Sequence, residues 1–128
     1  MPDYPSVSLN SAAVASMEAA HENLPSQIVD RLCLWARLHP VIRELLMFGS
    51  RARGDSRPDS DLDLAVGLDT RDGEDLAELI ERSGAWCAEL TALLGITVKD
   101  IYLADDEDSE VFKAIHREGK VVYRRSTA

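Results

Sequence analysis

Two stretches, Leu45-Leu46-Met47-Phe48-Gly49-Ser50 and Asp61-Leu62-Asp63-Leu64-Ala65-Val66, constrain this 128-residue chain more than anything else in it. The second sets Leu62, Leu64 and Val66 at every other position, the period of a half-buried strand lying on a core. Side chains two apart on a strand share a face, so Asp61 and Asp63 stand about 6.6 Å apart along it. That spacing suits one hard cation, or a pair of them about 3.5–4 Å apart. Oxygen ligands with no His or Cys beside them favour Mg²⁺ or Mn²⁺ over Zn²⁺.

The first stretch is a short apolar run that stops at Gly49-Ser50. A strand turning into a short helix there leaves backbone N–H groups pointing outward, and glycine lets the chain approach a ligand closely. Such a turn is a phosphate nest. Ser50 and Ser60 add hydroxyls, and Arg51, Arg53 and Arg57 bring local positive charge to an acidic chain. Two other readings of this region fail or lack support. An EF-hand beginning at Asp59 would need Gly and Glu where the chain has Leu64 and Thr70. Arg53-Gly54-Asp55 has the form of an adhesion tripeptide, but nothing in the sequence points to export.

Composition narrows the class. A chain of this length forms one core and leaves no room for a separate substrate domain. Its 45% hydrophobic and 29% charged residues are those of a soluble globular protein. A net charge of −9 argues against direct nucleic-acid binding and suits a basic protein partner. No apolar run approaches the ~20 residues a membrane span needs, and the Met1-Pro2-Asp3-Tyr4 start lacks the form of a signal peptide, so a cytoplasmic protein is expected. Cys33 and Cys87 lie in apolar helical context and read as buried, reduced thiols. His21, His39 and His116 are scattered and carry no predicted role.

Along the chain, residues 1–24 read as an N-terminal extension, with an Ala-rich, weakly packed helix over Ser11–Asn23. Residues 25–128 read as the domain itself. Pro25-Ser26 opens a helix running to Leu38, with Ile28, Leu32, Trp35 and Ala36 as its apolar positions and His39-Pro40 as its stop. After the two motif strands, Asp72-Gly73 begins a long helix whose stripe is Leu76, Leu79, Ile80, Cys87, Leu90 and Leu94, ended by Gly95. A third strand over Ile96–Leu103, a helix from Ser109 and a last strand over Lys120–Arg124 complete an α/β (α+β) order. The expected domain is a mixed sheet with helices on one face and an open face above the carboxylates.

The segment GSRARGDSRPDSDLDLAV resembles the signature of the polymerase-β-type nucleotidyltransferases, especially their minimal single-domain branch. The resemblance extends over roughly residues 41–124. It implies a Mg²⁺- or Mn²⁺-dependent transfer from ATP, with Asp61 and Asp63 holding metal and Gly49, Ser50, Ser60 and the arginines binding phosphate. It also implies a third carboxylate on a later strand, for which Asp100 is the candidate as metal ligand or as base toward the acceptor. Strand parity puts Asp100 on the face of Val98 and Tyr102, opposite Ile101 and Leu103. A structural alternative stands beside it, in which Asp100 pairs with Lys99 or an arginine at the sheet rim. Lys99 itself departs from the family, which carries an apolar residue there. Asp105, Asp106 and Asp108 read as a solvated loop.

The minimal branch is similar to antitoxins that silence an all-helical HEPN ribonuclease toxin by moving AMP from ATP to a toxin tyrosine, so the resemblance implies a HEPN-type partner and a hydroxyl acceptor. Two other functions stay open at this level. One is a partner-binding module with an inactive nucleotide site. The other is a small-molecule nucleotidyltransferase, of the antibiotic-modifying kind, acting as a homo-oligomer with a shared acceptor site.

Overall fold

The computed structural model describes residues 24–125; the expected helix over Ser11–Asn23 lies outside them. The elements are α1 (Ser26–Arg37), β1 (Ile42–Phe48), α2 (Ser50–Arg53), β2 (Asp63–Leu68), a 3₁₀ turn (Arg71–Gly73), α3 (Asp75–Leu94), β3 (Ile101–Leu103), α4 (Phe112–Glu118) and β4 (Lys120–Arg124). The strands form one four-stranded sheet in the order β3-β2-β1-β4. β1 runs antiparallel to β2 and β4, and β2 runs parallel to β3. Parallel neighbours need a crossover, which α3 supplies. The mixed sheet is as expected, but the helices are not confined to one face: the short α4 packs on the face expected to be open, because Phe48 and Ala65 present an apolar surface there.

Each boundary has a local cause. α1 follows Pro25, whose fixed φ of −54° suits a helix entry, and ends just before His39-Pro40, where the ring of Pro40 disfavours helical backbone. α3 stops at Gly95, whose φ of 71° is left-handed. Beyond it, the Thr91 hydroxyl accepts a hydrogen bond from the Val98 N–H at 3.0 Å and draws that residue into the core. Regular strand structure therefore begins only at Ile101, five residues later than the sequence pattern suggests.

The sheet separates two apolar clusters. On one face α1 and α3 bury Val29, Leu32, Trp35, Trp86 and Leu90 against Leu45, Met47, Leu62, Leu64 and Val66. Their indole rings meet edge to face at 5.6 Å, a preferred aromatic arrangement. On the other face the short α4 covers Phe48, Ala65, Ala104 and Ile115, with Leu46 and Tyr102 at the border. The predicted stripe on α3 needs correction: Leu79, Trp86, Leu90 and Leu94 are its buried residues, whereas Leu76 and Ile80 are 53% and 69% exposed. Cys33 is buried, and loss of water pushes its thiol up to about 11. Among the described residues, no helix is long and apolar enough to cross a membrane.

Candidate active site

The antiparallel register sets Phe48 opposite Asp63, so the turn that leaves β1 emerges beside the residue that opens β2. The parallel register sets Leu64 beside Ile101. The residues preceding them, Asp63 and Asp100, thus sit at the same end of adjacent strands. Gly49, Ser50, Asp61, Asp63 and Asp100 are collected at one corner of the sheet from three separate stretches of chain.

Gly49 is fixed by two constraints. Its φ of 76° is one that L side chains avoid, and a Cβ there would lie 2.1 Å from Asp63 Oδ2 and 3.0 Å from Asp63 Cγ. Backbone and carboxylate are in direct contact, which makes glycine a steric requirement of the site. Ser50 follows as the first residue of α2 and is half-buried. The short helix closes with Arg53 N–H donating to the Gly49 carbonyl at 3.0 Å and ends at Gly54, φ 82°.

Asp63 starts β2, while Asp61 lies two residues ahead of it in the lead-in segment. The alternation holds across the boundary: Leu62, Leu64 and Val66 are buried in the main core and both aspartates face away from it. The Leu62 N–H donates to the Thr97 carbonyl at 2.9 Å, tying this segment to the approach of β3. Burial raises the Asp63 carboxyl above its ordinary value; the Asp61 charge adds to this, Arg53 opposes it, and Glu118 and Asp100 add smaller increments. Anionic charge here is undercompensated by the protein. The ammonium of Lys99 reaches Asp61 at 3.3 Å, but it is 72% exposed, and such a pair contributes little. Asp100 is exposed, and Lys99 pairs with Asp61 in its place. The Tyr102 hydroxyl is raised by burial first and then by the charges of Asp100 and Asp63.

The arginines diverge. Arg53 is exposed and holds Glu118 with both carboxylate oxygens at 3.1 Å, plus Asp55 at 3.2 Å. Arg57 is exposed, and its backbone N–H donates to Ser60 Oγ at 2.8 Å. Arg51 turns inward beneath the loop, donating to the carbonyls of Ser60 and Pro58. Glu118 was invisible to sequence reasoning. It lies 65 residues from Arg53, at the end of a helix that shows no motif, and only folding brings it to the carboxylates.

Among the described residues, no three His, Cys, Asp or Glu side chains gather closely enough to hold a metal ion by themselves. The donor set nonetheless fits Mg²⁺, which protein sites commonly hold through one or two carboxylates, with substrate phosphates and water completing the octahedron. Asp61 and Asp63 are such a pair, crowded enough that a cation would relieve their repulsion.

Residues 35–128 match the model of the polymerase beta nucleotidyltransferase family, and the chain belongs to that family. No curated protein matches it significantly. Its fold is similar to a chain of a toxin–antitoxin crystal structure solved with AMP-PNP, at 22% identity and a TM-score of 0.59, covering 77% of this chain and 74% of that one. It also aligns with a Sulfolobus solfataricus structure described as a candidate nucleotidyltransferase, at 16% identity and a TM-score of 0.44, covering 95% of this chain and 96% of that one.

Proposed function

We propose that this protein transfers AMP from Mg²⁺-ATP to a hydroxyl of a partner protein, a tyrosine of an HEPN-type toxin, and so acts as a cytoplasmic antitoxin. The carrying observation is the contact between Gly49 and the Asp63 carboxylate, which sets a phosphate-binding turn directly against an undercompensated pair of acids. Asp61 and Asp63 hold the divalent ion. When bound, that ion would neutralise charge on the triphosphate and on the pyrophosphate that leaves. The Gly49-Ser50 backbone and the Ser50 hydroxyl grip the β- and γ-phosphates, steadied by Arg53 or Arg57. Asp100, at the neighbouring strand end, accepts the proton of the attacking hydroxyl as its oxygen bonds to the α-phosphorus and pyrophosphate leaves. A protein acceptor is supported by the net charge of −9, which steers basic partners, and by the toxin–antitoxin neighbour.

The test is incubation with labelled ATP, Mg²⁺ and the product of the adjacent reading frame. The neighbour should gain the mass of one AMP on a hydroxyl side chain. Transfer should fall by about a hundred- to a thousandfold in Ser50→Ala and be lost in Asp61→Asn/Asp63→Asn. Asp100→Asn should lose transfer but keep most ATP binding, whereas Asp105→Asn and Asp106→Asn change little. A partner silenced equally well by Asp61→Asn/Asp63→Asn, with no change in mass, would replace the enzyme by a binding module.

A further inference from the structure

Arg51 is 8% exposed and is the buried charged residue among those described. A guanidinium removed from water must find acceptors for its donors. Here they are backbone carbonyls: Nε and Nη2 donate to Ser60 O at 3.0 and 2.7 Å, and Nη2 also donates to Pro58 O at 3.3 Å.

What these carbonyls belong to gives the contact its meaning. Ser60 immediately precedes Asp61, and on the other side the Leu62 N–H is bound to Thr97 O at 2.9 Å. Asp61 is therefore pinned through both of its chain neighbours, by Arg51 on one side and by the approach to β3 on the other. No strand ladder reaches this far, since β2 opens only at Asp63. Arg51 in turn directly follows Ser50, the residue of the phosphate turn. One side chain thus ties the turn to the loop that delivers the first carboxylate, across nine residues of sequence.

We infer that Arg51 is a positioning residue that sets the distance between the phosphate turn and Asp61, and that it is not a phosphate ligand. This rests on the reading of Asp61 and Asp63 as the divalent-ion pair. The cations left to meet phosphate are then the exposed Arg57 and Arg53, the latter already paired with Glu118 and Asp55. The planar fork of arginine is required, because one carbonyl receives two of its donors at once. A lysine, as a point charge on a flexible stem, cannot reproduce that geometry.

The experiment measures Mn²⁺ affinity by electron paramagnetic resonance without nucleotide, and ATP affinity at saturating Mn²⁺, for the parent, Arg51→Lys, Arg51→Met and Asp61→Asn/Asp63→Asn. Both Arg51 variants should weaken Mn²⁺ binding by about tenfold or more, as loss of a ligand-orienting contact does, with ATP affinity at saturating Mn²⁺ close to the parent's. Unchanged Mn²⁺ affinity together with weakened ATP binding, rescued by lysine, makes Arg51 a phosphate ligand and overturns the inference. A measurement on the parent protein decides even if the variants unfold. The Arg51 Nε–H resonance should exchange slowly with water both before and after Mg²⁺-ATP is added; fast exchange in the free protein, with protection gained only on addition, would also overturn it. Should Asp61→Asn/Asp63→Asn bind Mn²⁺ like the parent, the carboxylate reading fails and this inference with it. Should that variant alone lose Mn²⁺, the inference fails by itself.

Discussion

The layer made by α1 and α3 and the corner formed by residues 49–63 follow opposite rules. In the layer, apolar side chains repeat at helical spacing, Leu32 and Leu90 are fully buried, and the one polar group of Trp35 finds Glu89 at 3.0 Å. The corner holds a glycine with no room for a Cβ, a buried guanidinium and a carboxylate whose charge its surroundings disfavour. Each of those features costs stability on its own account, and they occur together. Local rules that break in one place while holding elsewhere mark where a sequence serves binding or chemistry ahead of stability.

The comparison is most open to attack in the layer. Trp86 is 2% exposed and packs edge to face on Trp35. Trp86→Ala is expected to cost about 3–5 kcal/mol through lost contacts and a residual cavity, read from urea denaturation. The Mg²⁺-ATP affinity of the remaining folded protein should be unchanged. Lost affinity without lost stability would show that the two regions are not separable.

A pair of glycines sharpens the contrast. Gly49 and Gly95 have nearly the same φ, 76° and 71°, but a Cβ on Gly95 meets nothing within 4 Å whereas one on Gly49 meets the Asp63 carboxylate. Gly95→Ala should therefore cost only the conformational penalty of about 1 kcal/mol and leave Mn²⁺ binding intact. Gly49→Ala carries the same penalty and also forces Asp63 aside, for a total of about 1–3 kcal/mol. Its Mn²⁺ affinity should fall by about tenfold, as when a ligand loses its orientation. Equal Mn²⁺ affinities in the two variants, by titration calorimetry, would remove the steric argument for Gly49.

How much of this was legible in the chain depends on how local its cause is. Pro25, His39-Pro40 and Gly95 bound their helices at the expected places, and Lys120–Arg124 is a strand as its pattern suggests. The Gly49-Ser50 turn and the two aspartates were legible because a few adjacent residues carry both their geometry and their chemistry. β3 was not, because Thr91, on the preceding helix, captures Val98 and delays the strand. The inward turn of Arg51 and the arrival of Glu118 were hidden for a related reason. An arginine after Gly-Ser looks the same in sequence whether it faces phosphate or carbonyls, and Glu118 is linked to the site only by tertiary contact.

The smallest expected effect concerns the stripe on α3, where the sequence pattern and the packing part company. Leu76 and Ile80 keep the helical spacing of the buried positions, yet they are exposed. In the first turns of α3 the buried position is Leu79, at 6% exposure, and Leu76 and Ile80 flank it on the solvent side. Ile80→Ser removes little buried surface and exchanges residues of similar helix propensity, so the stability change should stay within about 0.5 kcal/mol. Leu79→Ala should cost about 2–5 kcal/mol. The two are compared by their urea midpoints at constant slope. If Ile80→Ser destabilised as much as Leu79→Ala, Ile80 would be a core residue in solution, and the stripe read from spacing alone would be the better description of the helix.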